Sequence, residues 1–125
     1  MKKLSIIIPI YNEGKNLKIL LKKIDLIKLA KIKIEIIAVD DGSTDDSLFI
    51  LKKFKKIKIL TQKNQGKGKA VQHGISKSSG DYIIIQDGDL EYDPKDIIKM
   101  CKLINKSDKI SVYGSRYLPL VFGIM

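Results

Sequence analysis

The chain has 125 residues, with 24 Lys and Arg against 14 Asp and Glu and a net charge of +10, so it can build one domain with a real core but not two. A single cysteine and a single histidine exclude an internal disulfide, a cysteine zinc cluster and a His-rich metal site. No apolar run reaches the length of a membrane span, and Arg116 is the one arginine among many lysines, which argues against a nucleic-acid reader built on bidentate arginine forks.

Lys3 to Ile10 reads as a first strand. Its core Ile6-Ile7-Ile8 is continuously apolar, as suits a parallel strand covered on both faces. Pro9, Asn12 and Glu13 break the run early and no small-residue cleavage site follows, so the start is read as strand and cytosolic, not as a signal peptide. Leu17, Leu20, Leu21 and Ile24 then recur at helical spacing. A second strand is expected over Ile34–Val39, ending in Asp40-Asp41-Gly42-Ser43-Thr44-Asp45. Ser43 or Thr44 is the expected cap of a helix carrying Leu48, Ile50, Leu51 and Phe54. Ile57–Leu60 is a short third strand.

Gln62–Gly68 is a polar loop with two glycines and two lysines, followed by a helix through Ala70, Val71, Gly74 and Ile75 that ends at Ser78-Ser79-Gly80. Tyr82 to Gln86 is a buried strand, and Asp87-Gly88-Asp89 leaves it. Asp93-Pro94 marks a helix start, with Ile97, Ile98, Cys101 and Ile104 as its apolar stripe. One more strand is expected over Ser111–Gly114, then an apolar tail, Leu118 to Met125, expected to expose apolar surface. His73 and Cys101 are read as packing residues without chemistry. The β-α-β-α alternation predicts an α/β fold, a mostly parallel sheet between two layers of helices.

Ligands of such sheets bind beyond the carboxyl ends of the strands. Three polar groups fall there: Tyr11-Asn12-Glu13, Asp40-Asp41-Gly42-Ser43 and Asp87-Gly88-Asp89. Two carboxylates one residue apart repel unless a cation lies between them, and a hard divalent ion with phosphate oxygens in its shell satisfies both. Gly66-Lys67-Gly68-Lys69 precedes a helix, where backbone N–H and ammonium groups meet phosphate. It lacks the spacing of a Walker A loop, and it does not follow the first strand as a dinucleotide fingerprint would.

Taken together, Pro9-Ile10-Tyr11-Asn12-Glu13, Val39-Asp40-Asp41-Gly42-Ser43, Asn64-Gln65-Gly66-Lys67-Gly68-Lys69-Ala70, Gln86-Asp87-Gly88-Asp89-Leu90-Glu91 and Tyr113-Gly114-Ser115-Arg116-Tyr117 resemble the family 2 glycosyltransferases of the GT-A fold. The resemblance is greatest to the dolichyl-phosphate mannosyltransferase and polyprenyl-phosphate sugar synthase branch. It implies one three-layer, Rossmann-like α/β/α domain over 1–125, the nucleotide-binding portion of a longer enzyme. It also implies that Pro9, Tyr11 and Glu13 line the nucleotide site, that Asp40 and Asp41 with Val39 beside them contact base and ribose, and that Lys67 lies near the donor. Asp87 and Asp89, flanking Gly88, would hold Mg²⁺ or Mn²⁺ on the diphosphate, and Arg116 would reach phosphate oxygens. Asp89 and Arg116 are the residues expected to act in catalysis. The implied partners are a GDP- or UDP-hexose and a polyprenyl phosphate at the cytoplasmic face of a membrane, with peripheral membrane contact and no nucleic acid. Gly88 stands where lipid-linked mannosyltransferases more often carry Ala, and Glu91 where they often have Gln. A saccharide acceptor, or nucleotide-sugar binding without catalysis, is left open by the same residues.

Overall fold

The computed structural model describes residues 2–28, 31–86 and 120–123. Their element order is β1 (Lys2–Ile10), α1 (Gly14–Asp25), β2 (Ile32–Asp40), α2 (Ser47–Leu51), β3 (Ile57–Thr61), α3 (Lys67–Ser76), β4 (Tyr82–Ile85) and β5 (Leu120–Gly123). The strands form one sheet in the order β3-β2-β1-β4-β5. The first four are parallel, and β5 runs antiparallel along β4.

Side-chain alternation along β1 and β2 builds two cores, one on each side of the sheet. Leu4, Ile6, Ile8 and Ile10 pack with Ala38 against Leu17, Leu20, Leu21 and Ile24 of α1 and Leu51 of α2. Ile7, Ile37, Val39 and Ile83 pack against Ala70 of α3 on the opposite side. This is why the strands read as unbroken isoleucine runs: both faces are covered, so neither needs polar residues. The expected α/β/α layering is therefore present, and Ile6–Ile8, Ile36–Val39 and Ile83–Ile85 lie in the strands expected of them.

Two expectations are corrected. The residue at the cap of the second helix is Asp46, not Ser43 or Thr44; it makes no side-chain cap bond, and the helix starts at Ser47. Ser43 and Thr44 are drawn away to Asn12, as described below, and the helix ends at Leu51, short of Phe54. The apolar tail contributes a strand, β5, which the sequence reading did not foresee. The helix expected after Asp93-Pro94, the strand Ser111–Gly114, Cys101 and the exposure of the tail lie outside the described residues.

Close packing of α3 on the sheet explains a glycine inside a helix. A Cβ on Gly74 would sit 2.5 Å from Ile7 Cγ2 and 3.2 Å from Val39 Cγ2. Gly74→Val is expected to destabilise the domain by about 1–3 kcal/mol through overpacking, read as a shift in the urea midpoint at unchanged slope. No loss of stability would mean that α3 stands off the sheet.

At the amino end of the strands Glu35 gathers β1, β2 and the α3–β4 connection. Its carboxylate accepts from Ser5 Oγ (2.8 Å), Ser79 N–H (3.0 Å) and Ser79 Oγ (3.0 Å), and Lys3 Nζ lies 3.3 Å away. Ser5 Oγ in turn accepts from Gly80 N–H at 2.9 Å. Burial opposes the charged form, but the hydrogen bonds of Ser79, Ser5 and Lys3 outweigh it and lower the pKa from 4.5 to about 2. A depressed carboxylate contributes stability above its unfolded pKa and loses it as pH falls through the folded one. Glu35→Gln is therefore expected to flatten the acid limb of stability between pH 4.5 and about 2, measured by urea titration across that range. An unchanged acid limb would remove Glu35 from the account.

Candidate functional site

Register aligns the strand ends that carry the polar loops. Ile10 of β1 lies opposite Asp40 of β2, and Asp40 opposite Thr61 of β3. The loops after these three strands therefore leave one edge together and are joined by side-chain-to-backbone hydrogen bonds.

Asn12 makes the first join. It adopts φ 51°, a left-handed conformation that asparagine tolerates better than most residues. Its Oδ1 accepts from the N–H groups of Thr44 (2.7 Å) and Asp45 (3.2 Å), and its own N–H donates to Ser43 Oγ (3.0 Å). Next, Glu13 N–H donates to Ser47 Oγ at 2.9 Å, and the Asp45 carboxylate accepts from Gly14 N–H (3.0 Å) and Ser47 N–H (2.9 Å). Asp45 so provides from another loop what the first turn of α1 lacks, an acceptor for an orphan N–H. Burial works against the Asp45 charge, but the Ser47 and Gly14 bonds hold its pKa below the usual value.

Asp41 makes the second join. It is 3% exposed, and its carboxylate accepts from Gln62 Nε2 (2.8 Å), Gln65 N–H (2.8 Å) and Gly66 N–H (2.9 Å). Asn64 Nδ2 donates to the Asp41 carbonyl at 3.2 Å. Desolvation raises the pKa of this carboxyl, and the three donors more than offset it, leaving the group more acidic than a free aspartate. The neighbouring Gly42 has φ 74°, and a Cβ there would sit 2.7 Å from Asn64 N. Both the backbone angle and the close approach of the 62–66 loop require glycine at this position.

Asp40 differs from its neighbour. It is 4% exposed, and its Oδ1 is buried without a hydrogen-bond partner among the described residues. A buried acceptor in that state is costly, so it marks a place where a donor would be favourable. The strand alternation puts Asp40 on the α1/α2 side of the sheet, beyond Ile36 and Ala38.

The amino end of α3 is the third feature. Gly66 precedes it with φ 101° and ψ 161°, and no side chain caps the first turn. Lys67 opens the helix, and Lys67, Gly68 and Lys69 are exposed. A Cβ at Gly66 or Gly68 would meet nothing within 4 Å, so the space over the helix start is open. The positive end of the helix and two exposed lysines, Lys67 and Lys69, lie there.

The structure thus brings the loops carrying Tyr11, Glu13, Asp40, Asp41 and Lys67 to one edge. Tyr11 is 46% exposed and Glu13 half-buried, whereas Pro9 and Val39 are buried near the ends of β1 and β2. Asp87, Gly88, Asp89 and Arg116 lie outside the described residues. The point of departure of the Asp87 segment is fixed: Gln86 is fully buried and its N–H donates to Ile7 O at 2.9 Å. Among the described residues no three His, Cys, Asp or Glu side chains form a metal-binding group. Sequence reasoning gave no role to Asn12, Asp45, Gln62 or Gln65, which position the loops. The density of polar side chains in 43–47 and 62–65 was the available signal.

Comparison with known proteins agrees with this architecture. The pattern described as "Glycosyl transferase family 2" matches residues 5–121. The undecaprenyl-phosphate 4-deoxy-4-formamido-L-arabinose transferase of Yersinia enterocolitica is 38% identical over 80% of this chain and 33% of its own length. The dolichol-phosphate mannosyltransferase of Pyrococcus furiosus is 36% identical over 93% of this chain and 34% of its own length. The chain thus spans about a third of these curated relatives. Among solved structures, S. aureus TarS 1-349 in complex with UDP-GlcNAc superposes with a TM-score of 0.72 at 26% identity, covering 83% of this chain and 31% of that one. The parallel sheet, the loops joined at its carboxyl edge and a family pattern running through nearly all of the sequence lead to one assignment: the chain belongs to glycosyl transferase family 2 and has the GT-A fold.

Proposed function

We propose that residues 1–125 form the nucleotide-binding portion of an inverting glycosyltransferase that moves a hexose from a nucleotide sugar to a polyprenyl phosphate. The observation that carries the nucleotide site is the pairing of a buried Asp40 Oδ1, without a partner among the described residues, with an open, lysine-bearing helix start on the same edge. One suits a base N–H donor; the other suits a diphosphate. Tyr11, exposed on the β1 loop, supplies an aromatic face for the base. Glu13 borders the same loop, and Pro9 and Val39 support it from below. In this reading Asp41 acts through the 62–66 loop, setting the position of Lys67.

Asp87 and Asp89 are a hard oxygen donor set joined directly to the fixed Gln86, which fits Mg²⁺ or Mn²⁺. When bound, the ion neutralises diphosphate charge. Arg116 adds a fork of donors for phosphate oxygens. The acceptor phosphate is an anion at neutral pH, so its oxygen attacks the anomeric carbon without a general base. The bond from that carbon to the diphosphate oxygen breaks, the electron pair leaves with the nucleoside diphosphate, and the anomeric configuration inverts. The lipid acceptor is supported by the two relatives, whose names specify undecaprenyl phosphate and dolichol phosphate. A peripheral position on the cytoplasmic face of a membrane goes with that acceptor. No helix among the described residues is long and apolar enough to cross one.

The test is incubation with radiolabelled GDP- and UDP-hexoses, with and without polyprenyl phosphate in detergent, followed by organic extraction. Label entering the organic phase only with lipid phosphate supports the reading. Label transferred to a saccharide instead, or no binding of any nucleotide sugar, overturns it.

A further inference from the structure

We propose that the outer face of α1 and α2 is a docking surface for an anionic lipid bilayer. Leu17, Leu20, Leu21 and Ile24 turn one side of α1 into the core. At helical spacing Lys15, Ile19, Lys22 and Leu26 then form the opposite crest, with Lys18 and Lys23 beside it. Ile19 is 50% exposed and Leu26 is 79% exposed, although both are large and aliphatic. Phe49 of α2, which packs against α1, is 64% exposed, and Lys53 Nζ lies 4.7 Å from its ring centre.

A groove of about 240 Å³ opens on the same side. Leu21, Ile36, Phe54 and Ile57 form its apolar lining, Lys53, Lys55 and Lys56 border it, and Asp25 is its one acidic residue. Ile57 begins β3, so this groove lies at the far end of that strand from Thr61 and the nucleotide edge. Asp45 and Asp46 belong to the nucleotide edge, and the Asp45 carboxylate is already bonded to Gly14 and Ser47.

The lysine content of the chain does not by itself explain this face. Helix α3 is also basic, with Lys67, Lys69 and Lys77 exposed, yet none of its large apolar side chains is exposed. Among the described residues the exposed large hydrophobics are Tyr11, Ile19, Leu26 and Phe49, and three of the four lie on the α1/α2 face. Apolar side chains surrounded by lysines suit the boundary between acyl chains and anionic headgroups, where ammonium groups reach phosphate and the apolar groups enter the hydrocarbon edge. The charge favours an anionic bilayer over a neutral one. The inference deepens the lipid-acceptor reading and rests on it for why a membrane lies close.

The experiment is vesicle flotation of this chain with phosphatidylcholine alone and with added phosphatidylglycerol, at low and high salt. Binding is expected only with the anionic lipid and is expected to fall with salt. Leu26→Ser with Phe49→Ser keeps every charge, and Lys22→Glu with Lys53→Glu keeps every apolar group; each pair is expected to weaken binding by roughly tenfold or more. Lys77→Glu on α3 is the control and leaves binding unchanged. All these positions are exposed, so the variants stay folded, as a thermal melt verifies. Nucleotide-sugar affinity, read separately by calorimetry, stays constant in every variant, so loss of docking and failure of the transferase reading are told apart. Equal binding to neutral vesicles, no binding to either vesicle, or full binding by both pairs overturns the proposal. So does a self-association, seen by sedimentation, that the Leu26/Phe49 pair abolishes, because the occupant would then be a second copy.

Discussion

Asp41→Ala is expected to weaken nucleotide-sugar binding by at least about tenfold, with or without metal, and to lower stability by about 2–4 kcal/mol. The carboxylate is buried and accepts from Gln62 Nε2 and from the N–H groups of Gln65 and Gly66. Alanine removes all three acceptor contacts. Two of the orphaned donors are backbone groups of the segment that leads into α3, so the damage falls on the position of Lys67 and the open helix start. Asp41→Asn is the milder variant, because an amide keeps one acceptor oxygen but turns an N–H group toward one of the backbone donors. The order expected for both stability and affinity is wild type, then Asn, then Ala. Since hydrogen bonding depresses the Asp41 pKa, wild-type stability from this source is present above the pKa of an unfolded aspartate and is lost as pH falls through the lower folded value. Urea titration and calorimetry on the three proteins measure the two effects. An alanine variant of native stability and native affinity would mean that the 62–66 loop holds its position without Asp41.

The contrast between Asp40 and Asp41 marks where the sequence is legible. The pair reads as a polar end of a strand, and that much follows from an apolar run meeting Asp-Asp-Gly. Which carboxylate is occupied by the chain and which keeps an oxygen without a partner among the described residues depends on residues 21 to 25 positions later folding back over the strand end. No local pattern specifies that closure. The same distinction covers α2. Ser43 and Thr44 have the chemistry of helix caps, but Asn12, more than thirty residues earlier, competes for them. The buried strands were legible because coverage on both faces leaves a continuous isoleucine signature, and α1 was legible because its four core residues keep helical spacing. Strand β5 was not, because Leu120-Val121-Phe122-Gly123 has neither alternation nor a hairpin turn to β4 and gains its partner only through the tertiary fold. The buried Gln86 shows the reverse case. In the sequence it is only the first residue of the Gln86-Asp87-Gly88-Asp89 motif, and the structure gives it a definite part as the fixed point before the Asp87 segment.

Asp89→Ala is expected to abolish the strengthening of nucleotide-sugar binding by Mg²⁺ or Mn²⁺, a loss of about tenfold or more in affinity in the presence of metal. Asp87 and Asp89 leave β4 one residue apart, and a diphosphate brings further negative charge to the same edge. Two unit charges of one sign 4 Å apart repel by about 4 kcal/mol at the dielectric near a protein surface. Lys67 and Lys69, in the first turn of α3, reduce this repulsion only in part, since they are exposed and screened. A divalent ion held by Asp87 and Asp89 would neutralise part of this charge. Binding without metal should accordingly be weak in the wild type, and Asp89→Ala should bind the metal-free nucleotide as well as or better than wild type, because one repelling charge is gone. That crossing of effects separates a metal ligand from a structural residue: Asp41→Ala loses affinity under both conditions, whereas Asp89→Ala loses it only when metal is present. Calorimetry on wild type and both variants, with metal and with chelator, reads the difference. If Asp89→Ala keeps the full response to metal, the two aspartates are a polar turn and the diphosphate must be held by the lysines and N–H groups of the α3 amino end.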